Sequence, residues 1–303
     1  MTKITNLLIL GGSGFLSGAL ANVALAQGLH VWSVTRGQRP LPAGVSGLVA
    51  DRRDKAAFAQ VIARAQTQWD LVVDCIAFEP ADIQQDIAAF TALARHLVVI
   101  STDFVYDPVR RKFPQREESD YYATEGYGGK KRQGEVVLTD ADTGDMAWTI
   151  LRPCHIYGPG SRLGCLPLHS RDANLITRLQ AGEALQLVGG GHFLQQPILA
   201  RDLAELVLSL AGNRKVFGQI LNAAGPDIVE SREYYRIIAD MLGVELNVIE
   251  APVGHYRSEH PESAPFLCHR IYDLSKLQAA GGAAPKTSLA QGLREHVESL
   301  LKP

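Results

Sequence analysis

The sequence predicts an α/β fold: a doubly wound parallel sheet with a smaller, interleaved C-terminal substrate domain. Three observations predict it. The N-terminal half alternates short, continuously apolar runs with helical patterns, as strands buried on both faces require. The first apolar run leads into a glycine-rich turn and then a helix, which places free backbone N–H groups where a phosphate can meet them. After Arg152 the rhythm breaks, and Pro153, Gly158, Pro159, Gly160, Gly164 and Pro167 follow closely, marking a less regular cap.

The elements follow in order. Residues 6–10 form the first strand, and residues 15–27 a helix stopped by Gly28. Strands at 30–35, 45–50, 71–76, 96–101 and 147–151 are separated by helices at 55–65, 83–94 and 127–138. Crossovers of this kind are right-handed and wind the sheet in both directions. Beyond it, residues 172–181 and 202–211 are helical, 189–191 turn, and 220–223 supply one more strand for the sheet. Residues 232–242 are an amphipathic helix ended by Gly243, and 289–301 another. This divides the chain into a dinucleotide-binding domain, 1–153, and a substrate-binding cap, 154–303. A segment of the cap, about 198–223, returns to the first domain.

Composition narrows the partners. The 303 residues are 46% hydrophobic and 20% charged, with net charge −2. Without a basic excess no nucleic-acid partner is expected. Cys75, Cys154, Cys165 and Cys268 lack the short spacing of a metal or redox site, so they are expected as reduced thiols and no metal is expected. No run approaches the ~20 apolar residues of a membrane helix, and the N-terminus lacks a signal-peptide pattern. A cytoplasmic protein with a small-molecule substrate and no membrane partner is expected.

The glycine turn identifies a Rossmann-type site. Gly11 permits the tight turn, and Gly14 lets the backbone approach a pyrophosphate. Ser13 lies between them, and Phe15 and Leu16 open the helix whose N-terminus faces the phosphates. The third small position is Ser17, with Gly18 one place late. At the end of the second strand Thr35 and Arg36 stand where a carboxylate would select NAD, and Arg39 is close by. A guanidinium pairs with a 2′-phosphate, so NADP(H) is favoured over NAD(H). Asp51 either accepts a hydrogen bond from the adenine amino group or caps the next helix. Ala77 and Lys131 complete the predicted cofactor contacts.

Tyr127 and Lys131 are four residues apart on one helix and share a face. A neighbouring ammonium and an oxidised nicotinamide both favour the phenolate, lowering the tyrosine pKa. Tyr127 can then exchange a proton with the substrate. Thr102 leaves the fifth strand at its C-terminal end, where ligands bind such sheets, and orients the substrate oxygen.

These residues resemble the extended and atypical short-chain dehydrogenase/reductases, the NAD-dependent epimerase/dehydratase family. The resemblance is carried by Gly-Gly-Ser-Gly-Phe-Leu at 11–16, Ser-Thr-Asp-Phe-Val-Tyr at 101–106 and Tyr-Gly-Gly-Lys-Lys at 127–131. Leu-Arg-Pro at 151–153, Tyr-Gly-Pro at 157–159, Asp-Leu-Ala at 202–204 and Tyr-Asp-Leu-Ser-Lys at 272–276 extend it along nearly the whole chain. It implies Thr102, Tyr127 and Lys131 as the catalytic triad and a homodimer through two helices of the first domain. The implied activity is hydride transfer at a hydroxyl or carbonyl of a nucleotide sugar or similar polar metabolite. Two alternatives accompany it: an NADPH-dependent keto-sugar reductase, and a non-catalytic RNA-binding or cofactor-sensing protein. One position departs from the pattern. Where many nucleotide-sugar enzymes carry a diphosphate-binding arginine, seven residues before the aspartate of Asp-Leu-Ala, this chain has Gln195. Either Arg270, His269 or the run Arg110–Lys112 replaces that charge, or the substrate is not a nucleotide sugar. His155, Gln195 and Arg270 are the candidate substrate contacts.

Overall fold

A computed structural model describes residues 5–302. Its centre is a sheet of seven parallel strands. Six are β1 (Asn6–Leu10), β2 (His30–Thr35), β3 (Ser46–Val49), β4 (Leu71–Asp74), β5 (His96–Ile100) and β6 (Ala147–Pro153). The seventh, Gln219–Ala223, returns from the C-terminal half and pairs with β6. From that edge the order is β6, β5, β4, β1, β2, β3. β1 pairs with both β2 and β4, so the winding reverses there and a crevice opens above the strand ends.

The apolar run Leu7–Leu10 is wholly buried because both faces are covered. Successive side chains point to opposite faces. Leu7 and Ile9 join one core, with Leu20, Ala24, Leu203 and Val207. These come from α1 (Phe15–Ala26) and the helix Ala200–Ser209, which pack on each other. Leu8 and Leu10 join the other core, with Phe58, Ile62, Phe90 and Leu138. These come from α2 (Lys55–Arg64), α3 (Pro80–Phe90) and α4 (Gly126–Thr139). Helix α3 starts three residues before the expected 83, because Pro80 suits a first turn and the Asp82 carboxylate accepts the N–H groups of Phe78 and Glu79.

The C-terminal part has its own core, built around Leu175, Leu187, Tyr234, Tyr235, Ile238 and Leu293. The helix Ser231–Leu242 ends at Gly243 in the left-handed region, φ +69°, where glycine is favoured. Three two-stranded sheets lie here, among them Leu185–Val188 with Val248–Ala251. They were not anticipated from the sequence, since strands of two to four residues carry almost no periodicity. No described helix is long and apolar enough to cross a membrane.

Candidate active site

A cleft of about 710 Å³ lies over the ends of β1, β2 and β4, lined by Gly11, Ser13, Gly14, Arg36 and Asp51 among others. Gly11 and Gly12 have φ +123° and +69°. A Cβ on Gly12 would lie 1.7 Å from Ser33 Oγ, so glycine is required there for space as well as for conformation. The Gly14 N–H donates to Ser17 Oγ at 3.1 Å. The off-pattern serine is therefore part of the helix cap. Phe15 and Leu16 supply first-turn N–H groups, which have no intrahelical acceptor. Their side chains do not line the cleft: Leu16 packs on the core, and the Phe15 ring lies beside Gly160.

Four arginines border the cleft, and they are not equivalent. Arg52 is spent. It pairs with Asp74 at 2.6 Å, Asp86 at 2.9 Å and Asp82 at 3.2 Å, tying the end of β4 to α3. Burial and the nearby Asp74 push the Asp86 carboxyl well above the usual range. Against the cost of burial, Arg52 holds Asp74 below that range. Exposed Arg36, Arg39 and Arg53 have no ion-pair partner among the described residues. Asp51 faces the cleft and accepts the Arg53 N–H at 3.0 Å. It does not cap α2, because Asp54 does, from the Ala57 N–H. The glycine turn and the helix N-terminus behind it fit the pyrophosphate of a dinucleotide, and the three unpaired guanidinium groups border the same cleft.

Lys131 is 6% exposed. Its ammonium donates to Ala77 O at 2.7 Å, in the loop after β4, and to Ile100 O at 2.6 Å, at the end of β5. Ala77 therefore serves as an anchor for Lys131 and does not line the main cleft. Burial lowers the Lys131 pKa. Tyr127, 47% exposed, lies between the rings of Phe78 and Phe104, each 6.4 Å away. Thr102 is buried, and its hydroxyl accepts the Phe104 N–H at 3.2 Å.

The expected lowering of the Tyr127 pKa is corrected here. Burial and the charge of Asp103 raise it, and the Lys131 ammonium is turned to the two carbonyls. Two glycines missed as site residues explain how α4 reaches this position. A Cβ on Gly128 would sit 1.9 Å from Phe104 O, and one on Gly129 2.5 Å from the Thr124 carbonyl carbon. The helix can thus press against the loop that carries Thr102.

The C-terminal half closes the other side. Asp103, directly after Thr102, is buried and held by Arg270 through Nε at 2.7 Å and Nη2 at 3.0 Å. Tyr272 donates its hydroxyl to the same carboxylate, and Arg111 lies 3.6 Å away. Despite burial, these groups hold Asp103 below its ordinary pKa, Arg270 first among them. Gln195 is buried and donates to Ser231 Oγ at 2.8 Å.

The expected replacements for the missing arginine are engaged with other groups, two in the interior and the rest nearer the surface. Arg270 and Arg111 are buried on Asp103. Arg110 stacks on Tyr121, and Lys112 pairs with Asp120. His269 accepts the Leu194 N–H through Nδ1. His155 is held neutral, pushed down to about 3 by burial and by Arg270. Among the described residues no group of His, Cys, Asp and Glu side chains is arranged to hold a metal.

A doubly wound sheet, a glycine turn at its switch point and a Tyr–Lys helix beside the cleft define a nicotinamide-dependent Rossmann enzyme of the short-chain dehydrogenase/reductase class. The chain belongs to the NAD dependent epimerase/dehydratase family, whose model matches residues 7–224. It is similar to the chloroplast stem-loop binding protein of 41 kDa b of Arabidopsis thaliana, 22% identical over 95% of this chain and 77% of that protein. It is also similar to the dTDP-4-dehydrorhamnose reductase of Mycolicibacterium smegmatis, 23% identical over 97% of this chain and 86% of that one. A UDP-glucose 4-epimerase from Thermotoga maritima, solved with UDP-glucose, shares the fold. Its TM-score is 0.77 at 17% identity, covering 97% of this chain and 98% of that structure.

Proposed function

We propose that this enzyme oxidises or reduces a hydroxyl or carbonyl carbon of a polar metabolite, a nucleotide sugar or a related compound, using NADP(H) in preference to NAD(H). The observation that carries the reading is the convergence at one mouth. Lys131 is clamped between the ends of β4 and β5, Tyr127 lies beside Phe78, which lines the glycine-turn cleft, and Thr102 lies against Tyr127. A nicotinamide bound there supplies or accepts the hydride. Tyr127 gives its hydroxyl proton to the substrate oxygen in reduction and takes it back in oxidation. The Thr102 hydroxyl orients that oxygen. An ammonium has three protons; Lys131 uses two on carbonyls, and the third is available to a cofactor hydroxyl.

Tyr127→Phe tests the assignment. Turnover on an identified substrate should fall by roughly 10²–10⁴-fold, while NADPH binding stays within about twofold. Full turnover in the variant overturns the acid/base role. The similarity to a dTDP-4-dehydrorhamnose reductase supports a second reading, net reduction with exchangeable NADPH. Nucleotide released on denaturing the purified protein separates the two: stoichiometric NAD(P) indicates an internal oxidation–reduction cycle, and an empty protein a reductase. The plant relative's name raises RNA binding, but the presence of Thr102, Tyr127 and Lys131 together supports catalysis.

A further inference from the structure

Charge inside a protein has to be balanced, and on the substrate side of Tyr127 it is not. Arg111 and Arg270 are 8% and 3% exposed, and Asp103 is the only described carboxylate in contact with either. Tyr272 adds no charge: its hydroxyl donates to Asp103 and accepts from Arg111 at 3.1 Å. Two cations thus share one anion. An uncompensated buried charge is strongly disfavoured unless something of opposite sign meets it.

The same cluster holds unused hydrogen-bonding capacity. Arg270 Nη1, His155 Nε2 and Gln195 Oε1 are all buried without a partner. Gln195 and Arg270 face each other across a backbone bridge. The Arg270 guanidinium lies 5.0 Å from the Phe104 ring, and Phe104 meets the Tyr127 ring edge-on. One aromatic ring therefore separates this cation from the proton-transfer group.

We propose that Arg270 and His155 receive a carboxylate of the substrate, and that Gln195 accepts a hydrogen bond from a neighbouring hydroxyl, so that the substrate is a hydroxylated carboxylic acid of the sugar-acid type. The inference deepens the reading of Tyr127 as the proton-transfer group and rests on it. Inside the cluster the surplus is a single positive charge, which one carboxylate neutralises; Arg171, exposed and without an ion-pair partner among the described residues, adds a further positive field at His155 and Tyr127. The donors match too: the Arg270 N–H and a neutral imidazole N–H serve two carboxylate oxygens. Gln195 remains as an acceptor, a role that an arginine at this position has no atom to fill.

The test is binding to the NADPH-saturated protein at constant ionic strength, read by thermal shift. The probes are D-glucuronate, D-gluconate, D-glucose and inorganic pyrophosphate. At least one sugar acid should raise Tm saturably, and glucose and pyrophosphate should not. Arg270→Met should weaken that binding at least tenfold. His155→Leu leaves the Asp103 pairing whole and should weaken it several-fold, so it carries the test if Arg270→Met does not fold. No shift with either acid overturns the proposal, as does a larger shift with pyrophosphate or unchanged binding by His155→Leu. Tyr127→Phe loses at most one hydrogen bond to the substrate and should still bind the acid saturably. Acid binding without Tyr127-dependent turnover therefore counts against the proton-transfer reading alone, and the converse against the carboxylate alone.

Discussion

Arg36 shows how far single residues carry the account. A charged residue at the end of β2 was legible in the sequence, but whether its charge is free was not. The fold leaves Arg36 and Arg39 without ion-pair partners and consumes Arg52, sixteen residues after Arg36, on three aspartates. If Arg36 and Arg39 hold a 2′-phosphate, removing one guanidinium costs about 1.5–3 kcal/mol. Arg36→Ala should therefore weaken NADPH roughly 10–100-fold and leave NADH binding nearly unchanged, as titration of cofactor fluorescence would show. Equal weakening of both cofactors would mean that Arg36 does not read the phosphate. At Tyr127, local spacing found the residue but misjudged its ionisation, because the direction of the Lys131 side chain is set by carbonyls 54 and 31 residues away.

Among the elements, α4 has the most to position. It carries Tyr127, Lys131 and Glu135 at four-residue spacing along one face. Glu135 receives a two-pronged pair from Arg152 of β6, at 2.9 and 2.6 Å, and the Ser101 hydroxyl at 2.6 Å. Against the cost of burial, Arg152 holds the Glu135 carboxyl below its ordinary range. Arg152 also donates to Tyr106 Oη and Glu117 O. Removing one partner strands a buried charge, which costs roughly 3–5 kcal/mol. Glu135→Leu should lower the denaturation midpoint accordingly, and adding Arg152→Met should recover part of the loss. A double variant no better than the single would show that the charge itself is not what destabilises. The pair is not legible in the sequence, where Leu-Arg-Pro at 151–153 stands only as a family string.

For the whole molecule, two desolvated histidines, buried His96 and half-buried His155, set an acid limit. His96 on β5 bonds Thr149 of β6 at 2.9 Å and meets the Phe217 ring, and burial pushes it down to about 4. His155 is pushed down to about 3. Both bind protons more readily unfolded, near pH 6.5, than folded. Their contribution to stability is therefore fully present above pH 6.5 and is lost as pH falls toward the folded values, His96 alone accounting for up to about 3 kcal/mol by pH 4. Denaturant unfolding between pH 6.5 and 4 should show this slope, and His96→Gln should flatten it. An unchanged slope in the variant would assign the acid loss to other groups. The sequence by itself determined the sheet, the glycine turn at β1 and the Tyr127–Lys131 face, because continuous burial and four-residue spacing are local properties of the chain. Only the tertiary structure decided which arginines are free, why Gly128 must lack a side chain, and that Asp103 meets Arg270 across 167 residues. The reason is physical: whether a charge is available or spent depends on its neighbours in space, and residue spacing along the chain does not record them.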